Sequence, residues 1–196
     1  MEGLTWAEAD ETRRTTAVLL EGVSDVAAVR EIALRQGVDL ERVSLVDLGG
    51  VTNVRRVLLR ILAVTPSAEI LGLCDAGEAR FVMRALEAAG RPVDHERELP
   101  SHGFFVCRAD LEEELIRALG TGRTVQVIES LGLGAKLLTL QQQPAWQGRP
   151  LEEQLHRFCG VASGRKELLA GALASELRPG EEPEPLRLLV ERLTRV

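Results

Sequence analysis

The chain has 196 residues, of which 45% are hydrophobic and 28% charged, so it can bury the core of one domain with an appendage. Its net charge of −6 disfavours a protein that wraps nucleic acid non-specifically. No run approaches the roughly 20 apolar residues that cross a bilayer, and the acidic N-terminus is unlike a signal peptide, so we expect a cytoplasmic protein without membrane contact. The three cysteines lack CxxC spacing, which argues against a zinc site or a disulfide framework.

The first predicted strand ends on an acid. Residues 18–20 (VLL) are typical of a strand buried on both faces, and Glu21 follows them. The pattern then predicts a helix from Asp25 to Gln36, with Ser24 as its N-cap. Ligands collect at the carboxyl ends of strands in α/β sheets, so Glu21 and Asp25 are candidate ligands of a divalent metal. The alternative is that both acids only favour the helix N-terminus electrostatically.

Three further strand patterns follow. A strand over Val43–Leu48 leads to a helix with an apolar stripe over residues 54–62, and Asn53 could cap that helix. A third strand covers Glu69–Cys74, and a fourth, Gly103–Arg108, runs into DLEEELIRALG. This alternation predicts an α/β fold, in which a parallel sheet is flanked by helices.

After Gly120 the pattern becomes helical, with Pro- and Gly-rich loops between the segments. The predicted helices are Val125–Leu140, Leu151–Phe158, Ser163–Leu177 and Pro185–Arg195. We therefore expect an α/β domain over residues 1–120, with residues 121–196 as a helical C-terminal extension packed on it.

A second acidic cluster follows the third strand. Residues 71–78 read LGLCDAGE, so an apolar strand again releases an acid, Asp75, before a glycine turn. Asp75 should lie beside Glu21 if the two strands are neighbours in the sheet. Acids from two strand ends are a usual way to hold Mg²⁺, which prefers oxygen ligands.

The pair of motifs LLEGVSD and LCDAGE resembles the TOPRIM domain, and most closely that of the OLD (overcoming lysogenization defect) family of nucleases. The resemblance covers roughly Thr16 to Gly120. It implies a Rossmann-like TOPRIM sheet, Mg²⁺ or Mn²⁺ as cofactor and DNA cleavage as activity, with RNA as the alternative substrate. It assigns the family's glutamate motif to Glu21 and the helix partner to Asp25.

One departure from the family pattern concerns the second motif. The usual DxD maps onto Asp75, Ala76 and Gly77, so a glycine stands where the second aspartate is expected. Glu78, one residue on, has a longer side chain that could reach the same metal. Otherwise the site holds one metal or is impaired.

The resemblance also implies ligands from an acidic segment after the fourth strand and a C-terminal lysine. In ADLEEEL these are Asp110 and Glu112; Glu113 points about 100° away from Glu112 on a helix, so Glu112 is preferred. Lys166 is the matching lysine, which could stabilise charge on a scissile phosphate. The alternatives are a solvated acidic helix start and an ordinary surface lysine.

The working hypothesis is that Mg²⁺ or Mn²⁺ activates water for phosphodiester hydrolysis, with Lys166 assisting. The predicted metal ligands are Glu21, Asp25, Asp75 and Glu112. The rival is a non-catalytic TOPRIM-like nucleic-acid-binding or regulatory module. A phosphatase-type or flavodoxin-like domain with Asp75 as nucleophile ranks third, since DAGEA lacks a DxDx[TV] loop.

Other residues give weaker signals. No GxxxxGK[ST] motif occurs, so the resemblance implies either a stand-alone TOPRIM protein or a separately encoded ATPase partner, and a homodimer stays open. The histidines occupy no motif spacing, which favours structural or surface roles: they are His95, His102 and His156. Three arginines lie away from the apolar stripe of the second helix and could contact phosphates or only aid solubility: they are Arg55, Arg56 and Arg60.

Overall fold

The computed structural model describes residues 16–161 and 163–195, without the side chain of Ser163, so the predicted lead-in over residues 1–15 lies outside it. Its sheet has four strands in the order β2-β1-β3-β4, and every neighbouring pair is parallel. The strands are β1 (Thr16–Leu20), β2 (Val43–Asp47), β3 (Glu69–Asp75) and β4 (Phe104–Cys107). The predicted α/β fold with a parallel, Rossmann-like TOPRIM sheet is confirmed.

Helices cover both faces of the sheet. They are α1 (Val23–Arg35), α2 (Val54–Val64), α3 (Ala79–Ala88), α4 (Leu111–Ser130), α5 (Gly134–Gln141), α6 (Leu151–Cys159), α7 (Ser163–Glu176) and α8 (Glu184–Leu193). Short 3-10 helices lie at Val51–Asn53, Ala76–Glu78 and Glu96–His102. Within residues 16–161 and 163–195, no helix combines the length and apolar character needed to cross a bilayer.

The central strand β1 explains why its sequence is continuously apolar. All five of its residues are buried, because successive side chains point to opposite covered faces. Val18 and Leu20 pack with α1 and the C-terminal helices, whereas Ala17 and Leu19 pack with α2 and α3. β1 pairs with β2 on one side and β3 on the other, so the first and third strands are neighbours.

The C-terminal helices share the core of the α1 face. α7 packs against α1 and α4, and α8 packs against β4, within one cluster of buried apolar side chains. α4 continues through the predicted boundary, but Gly120 inside it has the non-helical angles φ 75° and ψ 159°. The division of the chain at residue 120 therefore coincides with a kink and stays a prediction.

Some of the predicted helix caps and helix ends were wrong. Gly22, not Ser24, occupies the N-cap position of α1, and Ser24 is buried inside the helix. Asn53 precedes α2 as predicted, but its side-chain amide donates back to the carbonyl of Leu48 at 2.9 Å rather than capping. The predicted helix Val125–Leu140 is the end of α4 plus α5, separated near Gly132, whose φ is 70°.

The cysteines are core thiols, as their spacing indicated. All three are free and buried, and burial is the main cause that raises the pKa of each thiol, to about 12 for Cys74. The residues are Cys74, Cys107 and Cys159. A neutral, inaccessible thiol is neither a metal ligand nor a nucleophile.

Candidate metal centre

The carboxyl ends of β1 and β3 place two acids side by side. Glu21 follows β1 directly and Asp75 is the last residue of β3, its paired neighbour. The backbone N–H of Gly50 donates to the carbonyl of Glu21 at 2.9 Å and ties the loop after β2 to the same edge. Gly50 has φ 111°, a conformation that side-chain-bearing residues rarely adopt. Three strand ends therefore meet here.

Three carboxylates converge at this edge. Glu21, Asp75 and Glu78 each offer an oxygen, and these oxygens all lie within 4.8 Å of one another. An octahedral Mg²⁺ with oxygens at about 2.1 Å puts adjacent ligands about 3 Å apart and opposite ligands about 4.2 Å apart. The triad of Glu21, Asp75 and Glu78 thus has the chemistry and spacing to hold a metal ion.

The negative charge of the triad is only partly offset by nearby cations, because the charges of Arg80 and Lys166 act to lower the pKa of Glu78 but do not outweigh burial and Glu21. Burial and the charge of Glu21 raise the pKa of Asp75 to about 8, and the same two causes raise the pKa of Glu78 to about 7. Glu78 Oε2 is buried and has no hydrogen-bond partner among the described residues. No arginine or lysine in the described part of the chain forms a salt bridge with the triad. These acids repel each other unless a proton or cation joins them.

Asp25 lies next to the triad but has a partner of its own. Its carboxylate accepts a hydrogen bond from the N–H of Gly22 at 3.0 Å, at the start of α1. Burial raises the pKa of Asp25 to about 7 despite this bond, and the charges of Glu112 and Glu21 add to the effect. Asp25 therefore fixes the backbone turn that presents Glu21.

Glu112 faces inward and pairs with the predicted lysine. It is 2% exposed, and its Oε1 lies 3.2 Å from Nζ of Lys166. Glu113 instead approaches Arg117 at 3.4 Å, so the preference for Glu112 as the inward acid agrees with the geometry. Burial works to lower the pKa of Lys166, but Glu112, Asp25 and other acids raise it overall, which keeps the lysine charged.

Asp110 caps α4 and contacts a histidine. Its carboxylate accepts from the N–H of Glu113 at 2.8 Å, and its Oδ2 lies 2.6 Å from Nε2 of His156. His156 had no sequence signal, because its partner is in another helix. The buried Glu114, also missed, accepts from the N–H of Arg108 at 2.9 Å and holds the corner between β4 and α4.

Comparison with known structures identifies the fold. The chain superposes on the C-terminal region of the Xanthomonas campestris pv. campestris OLD protein with a TM-score of 0.66, 21% identity and coverage of 94% of this chain and 96% of that one. The C-terminal region of the Burkholderia pseudomallei OLD protein gives a TM-score of 0.62 at 19% identity, covering 93% and 98% of the two chains. The chain has the fold of the C-terminal region of OLD proteins.

The OLD-type fold agrees with the resemblance read from the two acidic motifs, which is thereby confirmed at the level of fold. No protein-family model matches the sequence, and no curated protein matches it either. At this sequence distance the likeness establishes architecture, and the chemistry must come from the residues at the site.

The cluster of buried acids should make the stability of the metal-free protein depend on pH. Because Asp25 and Asp75 have folded pKa values of about 7 and 8, above those of an unfolded chain, the folded state binds more protons. The contribution of these two groups to the free energy of unfolding is therefore largest below about pH 4 to 5. It is lost as the pH rises through 8. We expect the melting temperature in EDTA to fall from pH 5 to pH 9, and Asp75→Asn to flatten the fall.

The matched control for this measurement is Asp94→Asn, because Asp94 is exposed and its charge is not among the causes that raise the pKa of Asp75 or Asp25. The melting temperature of this variant should fall with pH as steeply as that of the wild type. If the melting temperature of the wild type rises over this pH range, the pKa values of Asp25 and Asp75 are not raised in the folded protein as stated here.

A second expected result concerns the ion pair inside the OLD-like fold. Lys166→Ala leaves the buried carboxylate of Glu112 without its cation. We expect a loss of about 2 kcal/mol in unfolding free energy, below the usual cost for a buried pair because the Lys166 side chain is 39% exposed. Urea denaturation measures it, and the double variant Lys166→Ala/Glu112→Gln should recover most of the loss.

Lys136 supplies the control, because it is the other of the chain's two lysines and is exposed on α5. Lys136→Ala should shift the urea midpoint by little. If the two alanine variants lower the unfolding free energy equally, the ion pair of Lys166 with Glu112 does not stabilise the fold.

Proposed function

We propose that the chain hydrolyses phosphodiester bonds of nucleic acid with a divalent metal ion held by Glu21, Asp75 and Glu78. The observation that carries the proposal is the approach of three carboxylate oxygens within 4.8 Å at one edge of the sheet. The OLD-type fold supports it, because the same acids were assigned to this edge from the TOPRIM resemblance. Mg²⁺ or Mn²⁺ are the ions whose oxygen preference suits the triad.

Each residue has a role in this proposal. The metal, when bound, supplies Lewis-acid polarisation of the phosphate and a more acidic water. Glu21, Asp75 and Glu78 fix its position, and Asp25 holds the turn before α1. Lys166, oriented by Glu112, is the cation available to offset charge that develops on the phosphate. Asp110 and Glu112 add negative charge beside the site, since the charge of Asp110 raises the pKa of Asp75 and that of Glu112 raises the pKa of Asp25.

The test is cleavage of a supercoiled plasmid by the purified chain with Mn²⁺ or Mg²⁺. The expected product is nicked or linear DNA that appears with the metal and is absent with EDTA. Plasmid that stays supercoiled at micromolar protein would contradict the proposal. An RNA of equal length, assayed in parallel, decides between the two nucleic acids.

The second candidate is a non-catalytic TOPRIM-like module that binds nucleic acid or regulates a partner. Gly77 favours it, because the second aspartate of the DxD motif is missing there. Calorimetric titration with Mg²⁺ and Mn²⁺ separates the two candidates. No measurable heat of metal binding would support the module, and saturable binding would support the nuclease.

Two partners belong to the same proposal. A separately encoded ATPase would supply the nucleotide-driven step for which this sequence has no P-loop motif. A second copy of the chain, in a homodimer, would place two such sites on opposite strands of a duplex. Light scattering of the purified chain tests whether it forms a homodimer.

A further inference from the structure

The two helices on one face of the sheet carry a concentration of positive charge. In a chain of net charge −6, α2 and α3 hold five arginines and one acid, Glu87. All five arginines are exposed: they are Arg55, Arg56, Arg60, Arg80 and Arg84. Because α2 and α3 pack side by side, these side chains form one solvent-facing surface, called here the arginine surface.

The spacing within the arginine surface is unfavourable for the isolated protein. Arg56 and Arg60 are four residues apart on α2, as are Arg80 and Arg84 on α3. Like charges at this spacing destabilise a helix. A surface built only for solubility mixes the two signs instead.

None of the five arginines forms an ion pair within residues 16–161 and 163–195. Arg56 donates to Asn53 Oδ1 at 3.3 Å, and Arg80 lies over the ring of Phe81 with 5.0 Å between its guanidinium carbon and the ring centroid. These neutral contacts hold the side chains without neutralising them. The charge therefore remains available for an anion from outside the chain.

The arginine surface begins at the metal triad. α2 follows β2 and α3 follows β3, so both helices start at the sheet edge where the three carboxylates meet. Arg80 comes two residues after Glu78, and its charge acts to lower the pKa of Glu78. A ligand bound along the helices would thus reach the triad at their N-terminal ends.

We propose that the arginine surface binds the phosphate backbone of double-stranded DNA and leads it to the triad. α2 has 11 residues and is about 16 Å long. A duplex presents one charge per about 1.7 Å, so about nine phosphates lie along that length. A repeating polyanion matches charge spread over two helices better than a small phosphorylated molecule does. The cleavage step rests on the proposed function, but binding does not.

The test is fluorescence anisotropy of a labelled 30-base-pair duplex with the full chain in EDTA, where no metal-dependent cleavage occurs. Arg60→Gln/Arg84→Gln removes two charges from the second turns of α2 and α3, away from the triad. We expect duplex affinity to fall about tenfold or more at 0.1 M salt, and the slope of log affinity against log salt to decrease by about 2.

The matched control is Arg30→Gln/Arg42→Gln, which removes the same charge from exposed positions on α1 and in the loop before β2. It should change affinity less than twofold. Equal losses in the two double variants would overturn the proposal. So would displacement of the duplex by polyglutamate at the same charge concentration as effectively as by unlabelled duplex.

The experiments distinguish a failure of the proposed DNA binding from a failure of the proposed nuclease activity. A chain that binds the duplex through the arginine surface but neither binds Mn²⁺ nor cleaves plasmid would leave this inference standing and overturn the nuclease. A chain that binds Mn²⁺ and cleaves, with Arg60→Gln/Arg84→Gln as active and as tightly bound as wild type, would overturn the inference alone.

Discussion

Glu21→Ala is expected to lower the rate of Mn²⁺-dependent plasmid nicking about a thousandfold. Among residues 16–161 and 163–195, Glu21 is one of three carboxylates whose oxygens lie within 4.8 Å of one another, and it follows the most buried strand of the sheet. Its loss removes a metal ligand, and metal stabilisation of transition-state charge is worth several kcal/mol; about 4 kcal/mol corresponds to a factor of roughly 10³. Initial rates on supercoiled plasmid measure the effect.

Calorimetry of the same variant should show a weaker Mn²⁺ affinity, which separates a lost ligand from a lost general base. Glu41→Ala is the control, since Glu41 is exposed in the loop before β2 and far along the chain from the triad. If Glu21→Ala cuts plasmid as fast as wild type, the metal assignment is refuted.

Gly77→Asp is expected to create a second metal site and raise nicking about tenfold. An added Cβ at Gly77 has no atom within 4 Å, and the residue is exposed, so an aspartate fits without moving the chain. Its carboxylate would stand two residues after Asp75, in the position that the DxD motif prescribes. An aspartate at this position could hold a second ion together with Asp75, which would supply further Lewis-acid stabilisation, and a tenfold gain needs only about 1.4 kcal/mol.

Mn²⁺ stoichiometry should rise from one to two in this variant, as measured by calorimetry. Gly77→Asn is the matched control, because it adds the same volume without the charge. A Gly77→Asp protein with wild-type stoichiometry and rate would mean that Gly77 is not the reason for a single-metal site.

The ends of the strands could be predicted from the local sequence, because the end of an apolar run marks the end of a buried strand. Apolar runs predicted all four strands to within about two residues of their observed bounds, and the acids that directly follow the runs at β1 and β3 meet as expected. The neighbour relation of β1 and β3 was a condition in the sequence argument, and the pairing of the strands fulfils it.

The long-range partners could not be predicted. Lys166 was recognised as a candidate, but its ion pair with Glu112 joins α7 to α4 through tertiary packing that no local pattern encodes. The contact of His156 with Asp110 has the same origin. The N-cap of α1 was wrongly predicted for a different reason: Ser24 is a residue type that favours N-caps, but it is buried in the first turn of the helix, which begins one residue earlier.

The packing of α7 on α1 also bears on how the protein is made. During synthesis on a ribosome, the strands that carry Glu21 and Asp75 emerge well before the helix that carries Lys166. The nascent chain can therefore assemble its acidic edge while the compensating cation is still untranslated. If the proposed nuclease activity needs Lys166, this order of synthesis would keep the nascent chain inactive toward nucleic acid until the segment that carries Lys166 has been made.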